Sequence, residues 1–135
     1  MLSLSGDVAI YAYTSPVDFR KQHDGLVAVV RDKLRANPMR GSLFVFFNRR
    51  RDRIKLLVWD RNGFWLLYKR LEKGTYEGLR RAPGSKLEIS RVELSMLLDG
   101  IALGKGKKRQ HFADVFRIDG RASEVPEEQD ERASE

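Results

Sequence analysis

Three apolar segments separated by short polar connections constrain the fold of this chain more than any other feature. The segments span residues 42–47, 53–59 and 64–71, and the connection between the second and the third contains Asn62-Gly63. Connections this short require antiparallel neighbours, because a parallel crossover needs a dozen or more residues. Asn-Gly also favours a tight hairpin turn. We therefore expect a three-stranded antiparallel meander in the middle of the chain.

A strand and then a helix are predicted before the meander. Residues 8–13 are apolar and partly β-branched or aromatic, which is typical of a buried strand. Ser15 can cap a helix that begins at Pro16, although Gly25 favours a later start near Asp24. The apolar stripe of this helix has helical spacing and comprises Phe19, His23, Leu26, Val30 and Leu34. We expect His23 to be packed within that stripe, and Asp18 to bond the free amides of the first turn.

A second helix is predicted near residue 90. Ser90 and Glu93 have the spacing of a capping box, and Gly100 is a natural stop. Its apolar stripe comprises Leu94, Leu97, Leu98 and Ile101. Residues 72–86 are rich in glycine and proline and predict a loop, with one short strand near Thr75-Tyr76. The predicted fold is a single α+β domain of order β-α-β-β-β-α, with both helices on one side of a mainly antiparallel sheet.

The chain has 135 residues and no cysteine, which suits one domain without disulfides or thiolate metal sites. We expect the domain to span residues 1–103, followed by a basic linker and possible docking segment at 104–119. Residues 120–135 are acidic and lack aromatic side chains, so we expect a disordered tail. No apolar run has the length of a membrane span, and the N-terminus does not resemble a signal peptide, so we expect a cytoplasmic protein.

The net charge of +7 comes from a basic region before residue 110 and an acidic region after it. A basic domain attracts polyanions such as DNA. Arginine forks match phosphate oxygens, and aromatic rings near the meander offer surfaces on which bases can stack. The predicted nucleic-acid-binding residues are Arg49, Arg50, Arg51, Arg53, Lys55, Arg61 and Lys73. Further candidate phosphate contacts are Arg20, Lys21, Lys105, Lys107, Lys108 and Arg109.

A second interpretation of the same charges, which involves no nucleic acid, stays open. The arginines of a turn can simply be solvated above a core that needs the aromatic rings, or they can contact another protein. In either case we expect turn arginines to contribute little to the core.

The sequence gives little support for catalysis. It contains no glycine-rich phosphate loop, no Gly-x-Ser-x-Gly and no His-x-x-x-His. Asp52, Asp60 and Asp99 are the candidates for a magnesium site, but Asp52 and Asp60 lie at opposite ends of one predicted strand, roughly 25 Å apart. We therefore predict no catalytic residues, no metal and no cofactor.

Several short blocks together resemble the small second-reading-frame accessory protein of insertion sequence 66 elements, called TnpB in that family and unrelated to the RNA-guided nuclease of the same label. The blocks are Asp18-Phe19-Arg20-Lys21, Asp24-Gly25-Leu26, residues 41–46, residues 52–57, Trp59-Asp60, Gly63-Phe64, residues 69–76 and residues 94–101. The resemblance implies a transposition accessory protein without established catalytic residues, whose partners are DNA, the transposase of the same element, or both. The alternatives are a pure protein–protein adaptor and a small metal-dependent nuclease. The oligomeric state stays open.

Overall fold

The structure is a computed structural model that describes residues 7–79 and 82–100. It forms one small α+β domain. The strands are β1 (Ile10–Tyr13), β2 (Leu43–Phe47), β3 (Arg53–Asp60), β4 (Gly63–Arg70) and β5 (Lys86–Ile89). The helices are α1 (His23–Asp32) and α2 (Arg91–Leu98), and a single 3-10 turn (Pro38–Arg40) precedes β2.

The strands form one five-stranded sheet in the order β4-β3-β2-β1-β5. The meander of β2, β3 and β4 is confirmed, and β5 also pairs antiparallel with β1. The one parallel pair of this sheet joins β1 to β2. Helix α1 lies in the crossover between them, as a parallel connection requires.

The hairpin between β3 and β4 forms where it was predicted, but its turn lies one residue earlier. Asp60 pairs with Gly63, so the two turn residues are Arg61 and Asn62. The positive φ of 56° falls on Arg61 and not on the glycine.

The strand β5 was not predicted, and the strand expected near Thr75-Tyr76 is wrong. Thr75 and Tyr76 are not in a strand. Tyr76 is instead a buried core residue whose ring lies 5.7 Å from that of Phe47. The four residues of β5 are ordered as a strand by pairing with β1, in which Tyr13 is opposite Lys86. The sequence of a four-residue strand carries little signal for pairing with a distant strand, which explains why β5 was not predicted.

The two helices pack on opposite faces of the sheet, so the prediction that they share one side is wrong. Leu94 and Leu97 of α2 pack in one core cluster, while Leu26 and Val30 of α1 pack in the other. The reason lies in β2, which is buried at every position. A strand without alternating polar residues must be covered on both faces.

Helix α1 begins at His23, later than the capping interpretation of Ser15 predicts. Gln22 precedes it without any side-chain cap. His23 is exposed, so the packed histidine is also wrong. Of the other stripe residues, Leu26 and Val30 are buried in α1 and Leu34 is buried just after it, whereas Phe19 precedes the helix and is only partly buried.

The capping box of α2 is confirmed. Ser90 Oγ accepts a hydrogen bond from the Glu93 amide at 3.0 Å, and Glu93 Oε1 accepts one from the Ser90 amide at 2.8 Å. The predicted linker and tail, at 104–119 and 120–135, lie outside the described residues, as do Ile101, Lys105, Lys107, Lys108 and Arg109. Within the described ranges, no helix is long and apolar enough to cross a membrane.

Candidate nucleic-acid interface

The strand directions bring several basic segments to one end of the sheet. Strands β1, β2 and β4 end there, and β3 begins there, because β1 is parallel to β2 while β3 is antiparallel to both of its neighbours. The segments at this end span residues 14–22, 48–52 and 71–79. We call seven cationic side chains of these segments and of the adjoining strand ends the basic end: Arg20, Lys21, Arg49, Arg50, Arg53, Arg70 and Lys73.

A pocket of about 420 Å³ lies between the segment after β1 and the turn after β2. Its lining comprises Pro16, Val17, Asp18, Phe19, Asn48, Arg49 and Arg50. The two sides are joined by a backbone hydrogen bond in which the Val17 amide donates to the Phe47 carbonyl at 3.0 Å. The structure thus places the segment that carries Arg20 and Lys21 beside the β2–β3 turn, whose Arg49 and Arg50 line the pocket.

Asn48 organises the turn that carries the exposed arginines. Its side-chain oxygen accepts from the Arg53 amide at 3.0 Å, and its side-chain nitrogen donates to Asp52 Oδ1 at 2.6 Å. This second bond holds the pKa of Asp52 below its usual range. Arg49 and Arg50 extend from the ordered turn into solvent, where their forks can reach an anion.

Arg51 belongs to the structure of the turn and not to its exposed cationic surface. Its Nε donates to the Tyr76 carbonyl at 3.2 Å, and one terminal nitrogen donates to the Glu77 carbonyl at 2.6 Å. Its guanidinium carbon also lies 4.3 Å from the centre of the Phe47 ring. The Tyr76 amide donates back to the Arg51 carbonyl at 2.6 Å. Arg51 therefore fastens the segment after β4 to the β2–β3 turn, and the expectation that turn arginines contribute little to the core is wrong for this residue.

Lys55 is fully buried, so the phosphate contact predicted for it is wrong. Its ammonium donates to the carbonyl of Phe19 at 3.0 Å and to that of Lys21 at 2.8 Å. The rings of Phe19 and Tyr68 lie on either side, with centres 4.9 and 5.0 Å from the nitrogen. Burial lowers the pKa of Lys55. The side chain shares a strand face with Arg53, as predicted, but the segment at 18–21 covers it.

The segment that covers Lys55 is held in shape by an internal ion pair. Asp18 accepts from the Arg20 amide at 2.9 Å and from the Arg20 guanidinium at 2.6 Å. These bonds lower the pKa of Asp18 to about 2. Asp18 therefore bonds the amide of its own turn, five residues before α1 begins, and not the first turn of the helix as expected. A Cβ on Gly25 would lie 2.9 Å from the Lys21 Cβ, so glycine leaves the room that Lys21 occupies.

Arg70 also lies on this surface, although it is not among the residues predicted to bind nucleic acid. Arg70 is the cross-strand partner of Arg53, and like charges directly opposite each other are unfavourable. Arg70 is paired with Glu72 at 2.9 Å, and Arg53 donates to the Tyr68 hydroxyl at 3.2 Å. The pair follows from the observed register, in which Asp60 is opposite Gly63, whereas a turn centred on Asn62-Gly63 would have placed Arg53 opposite Glu72.

Arg61 lies at the other end of the sheet from the basic end. It follows β3, whose eight residues separate it from Arg53 by about 26 Å at ~3.3 Å each. Its guanidinium lies 3.6 Å from Asp60. The edge-to-face pair of Trp59 and Phe64 also lies at the same end as Arg61. Among the aromatic side chains of β4, Tyr68 is therefore the one nearest the basic end. The predicted nucleic-acid-binding residues therefore do not all lie at the same end of the sheet, and Arg61 does not contribute to the surface at the basic end.

The acidic residues considered for a metal site do not come together. Asp52 precedes β3 and Asp60 ends it, which places the two carboxylates at opposite ends of the sheet. Nowhere in residues 7–79 and 82–100 do three histidine or carboxylate side chains form a group that could hold a metal ion.

Comparison with known proteins agrees with the blocks noted in the sequence. The model of the family described as "IS66 Orf2 like protein" matches residues 8–108. The uncharacterized protein y4jC of Sinorhizobium fredii (strain NBRC 101917 / NGR234) is 37% identical over 109 residues, which cover 81% of this chain and 92% of that protein. The uncharacterized protein y4hO of the same strain is 35% identical over 101 residues, covering 75% and 87% of the two chains. No solved structure matches. The chain belongs to the IS66 Orf2-like protein family.

Proposed function

We propose that this protein is a non-catalytic accessory factor in the transposition of an insertion element, and that its basic end binds the phosphate backbone of DNA. Family membership supports the link to transposition. The observation that carries the DNA contact is the convergence of segments 18–21, 48–53 and 70–73 at one end of the sheet.

The geometry favours phosphate over base edges. Arg49 and Arg50 extend from a short turn, whereas base readout in the major groove needs an element such as a helix that enters the groove. The helices α1 and α2 pack against the sheet through their apolar sides. Contacts of this kind position a protein on DNA without selecting a sequence.

The Arg53–Arg70 pair gives a second reason for an anion at this end. Two guanidinium groups on opposed strand positions repel each other, and the ion pair of Arg70 with Glu72 offsets only part of that charge. A phosphate near both would relieve the repulsion and form charge-assisted hydrogen bonds.

A salt titration of duplex DNA affinity tests the proposal. We expect affinity to fall steeply with salt, and Arg49→Gln with Arg50→Gln to weaken binding and flatten the slope of log K against log salt by about 2, since each phosphate contributes about 0.9. The matched control is Arg40→Gln with Arg61→Gln, which removes the same charge from exposed positions at the other end of the sheet.

Equal losses in both double variants would show that net charge and not the basic end governs binding. If the parent binds no DNA even at low salt, the adaptor interpretation takes its place, with the basic end then contacting an acidic surface of the transposase. Cleavage of the duplex in the presence of Mg²⁺ would contradict the non-catalytic role.

A further inference from the structure

The strand β4 forms one edge of the sheet, and it is long and apolar for an edge strand. Its eight residues pair only with β3 in the described structure. Trp65, Leu67 and Tyr68 are 42%, 39% and 52% exposed. Proteins usually protect such an edge, because its free amides and carbonyls can pair with another strand.

Apolar side chains occupy both faces of β4. Phe64, Leu66 and Tyr68 lie on the face covered by α1, and Trp65 and Leu67 lie on the face covered by α2. Helix α2 packs in one core cluster with residues of β1, β2 and β3, and Lys69 of β4 donates a long hydrogen bond of 3.4 Å from its Nζ to the Leu98 carbonyl. A second strand beside β4 would bury apolar surface on both faces at once.

We propose that β4 pairs antiparallel with β4 of a second copy of this chain. Both cationic residues of the strand, Lys69 and Arg70, lie at its C-terminal end. A two-fold axis through Leu66 or Leu67 places these two cations opposite residues 62–65 of the other copy, which carry no charge. Within β4 itself, no like charges then face each other.

The same arrangement of charges argues against other ways of pairing two copies at this edge. A parallel strand from a second copy would place lysine beside lysine, and a two-fold axis near the strand end would do the same. In the antiparallel register through Leu67, Trp65 lies opposite Lys69 and Phe64 opposite Arg70, so each cation meets an aromatic side chain. The strand is therefore complementary to itself.

Pairing of this kind would join the two sheets into one of ten strands. Because the axis is perpendicular to the sheet, the basic ends of the two copies would lie at opposite ends of the joined sheet. If the basic end binds DNA, as proposed above, the dimer would present two separate phosphate-binding surfaces.

Sedimentation of the full chain across about 1–200 μM, without DNA, tests the dimer independently of the DNA proposal. We expect a concentration-dependent dimer in the parent and a monomer for Leu67→Lys at the same concentrations, because the new charge lies close to the axis. The matched control is Val92→Lys, at a position of α2 that is 69% exposed, which we expect to dimerise like the parent. A parent that stays monomeric overturns the proposal, as does a Leu67→Lys variant that dimerises normally.

Hydrogen exchange identifies the surface even if Leu67→Lys folds poorly. In the parent, the amides of residues 64–70 should be several-fold better protected at high than at low protein concentration. Concentration-dependent protection confined to any other segment would show that the copies associate elsewhere, and would overturn the pairing of β4.

Discussion

The ammonium nitrogen of Lys55 lies 2.8 Å from the carbonyl oxygen of Lys21, inside the domain and between two aromatic rings. From the sequence, Lys55 was predicted to be part of the cationic surface. In the structure, its side chain instead supports that surface from inside the domain. It connects the middle of β3 to the segment that presents Arg20 and Lys21 at the basic end.

Replacing Lys55 by Met should loosen the segment at 18–21. Met keeps much of the volume but leaves the Phe19 and Lys21 carbonyls without their donor, which costs about 1–3 kcal/mol for a buried polar group. We expect faster amide exchange at 19–21 and a lower urea midpoint. Lys33→Met, the same change at an exposed position directly after α1, is the control. Equal exchange rates in parent and Lys55→Met would contradict the supporting role.

Arg51→Ala should destabilise the fold, whereas Arg50→Ala should not. The Arg51 guanidinium donates to the Tyr76 and Glu77 carbonyls, and loss of charged hydrogen bonds of this kind costs about 1.5–3 kcal/mol. Arg50 is an exposed neighbour in the same turn and serves as the control. The measurement is the free energy of unfolding from urea denaturation. Equal stability of the two variants would contradict the conclusion that Arg51 fastens residues 71–79 to the β2–β3 turn.

The Asp18 carboxyl should titrate near pH 2, and Arg20→Gln should return its pKa toward 3.8. The ion pair with Arg20 favours the ionised form, so the folded protein holds the proton less tightly than the unfolded chain. The stabilisation is therefore present above about pH 4 and is lost as the pH falls toward 2. NMR titration of the carboxyl carbon in parent and variant measures both values. An unchanged pKa in Arg20→Gln would show that the pair does not govern this carboxyl.

Local patterns predicted the elements that depend on local contacts. The capping box of Ser90 and Glu93 satisfies backbone groups three residues apart, and it formed as expected. The meander followed from its short connections. The blocks of family resemblance were confirmed over nearly the whole described chain.

The remaining features depend on which distant segments meet. The helices lie on opposite faces because β2 needs cover on both, a signal that the unbroken apolar run of residues 43–47 already carried. Nothing near Lys55 in the sequence shows that residues 18–21 cover it. Likewise, the role of Arg51 depends on Tyr76 and Glu77, which are more than twenty residues away. The sequence therefore indicated the region in which basic side chains come together, but not the structural roles of Lys55 and Arg51.

The most direct test of the central claim, that the basic end contacts DNA, is amide chemical-shift mapping of the full chain on addition of a short duplex at low salt. We expect shifts at residues 18–21, 48–53 and 70–73, with little change at the β3–β4 turn, residues 60–63. Shifts concentrated at 60–63, or no shifts at all at low salt, would contradict it.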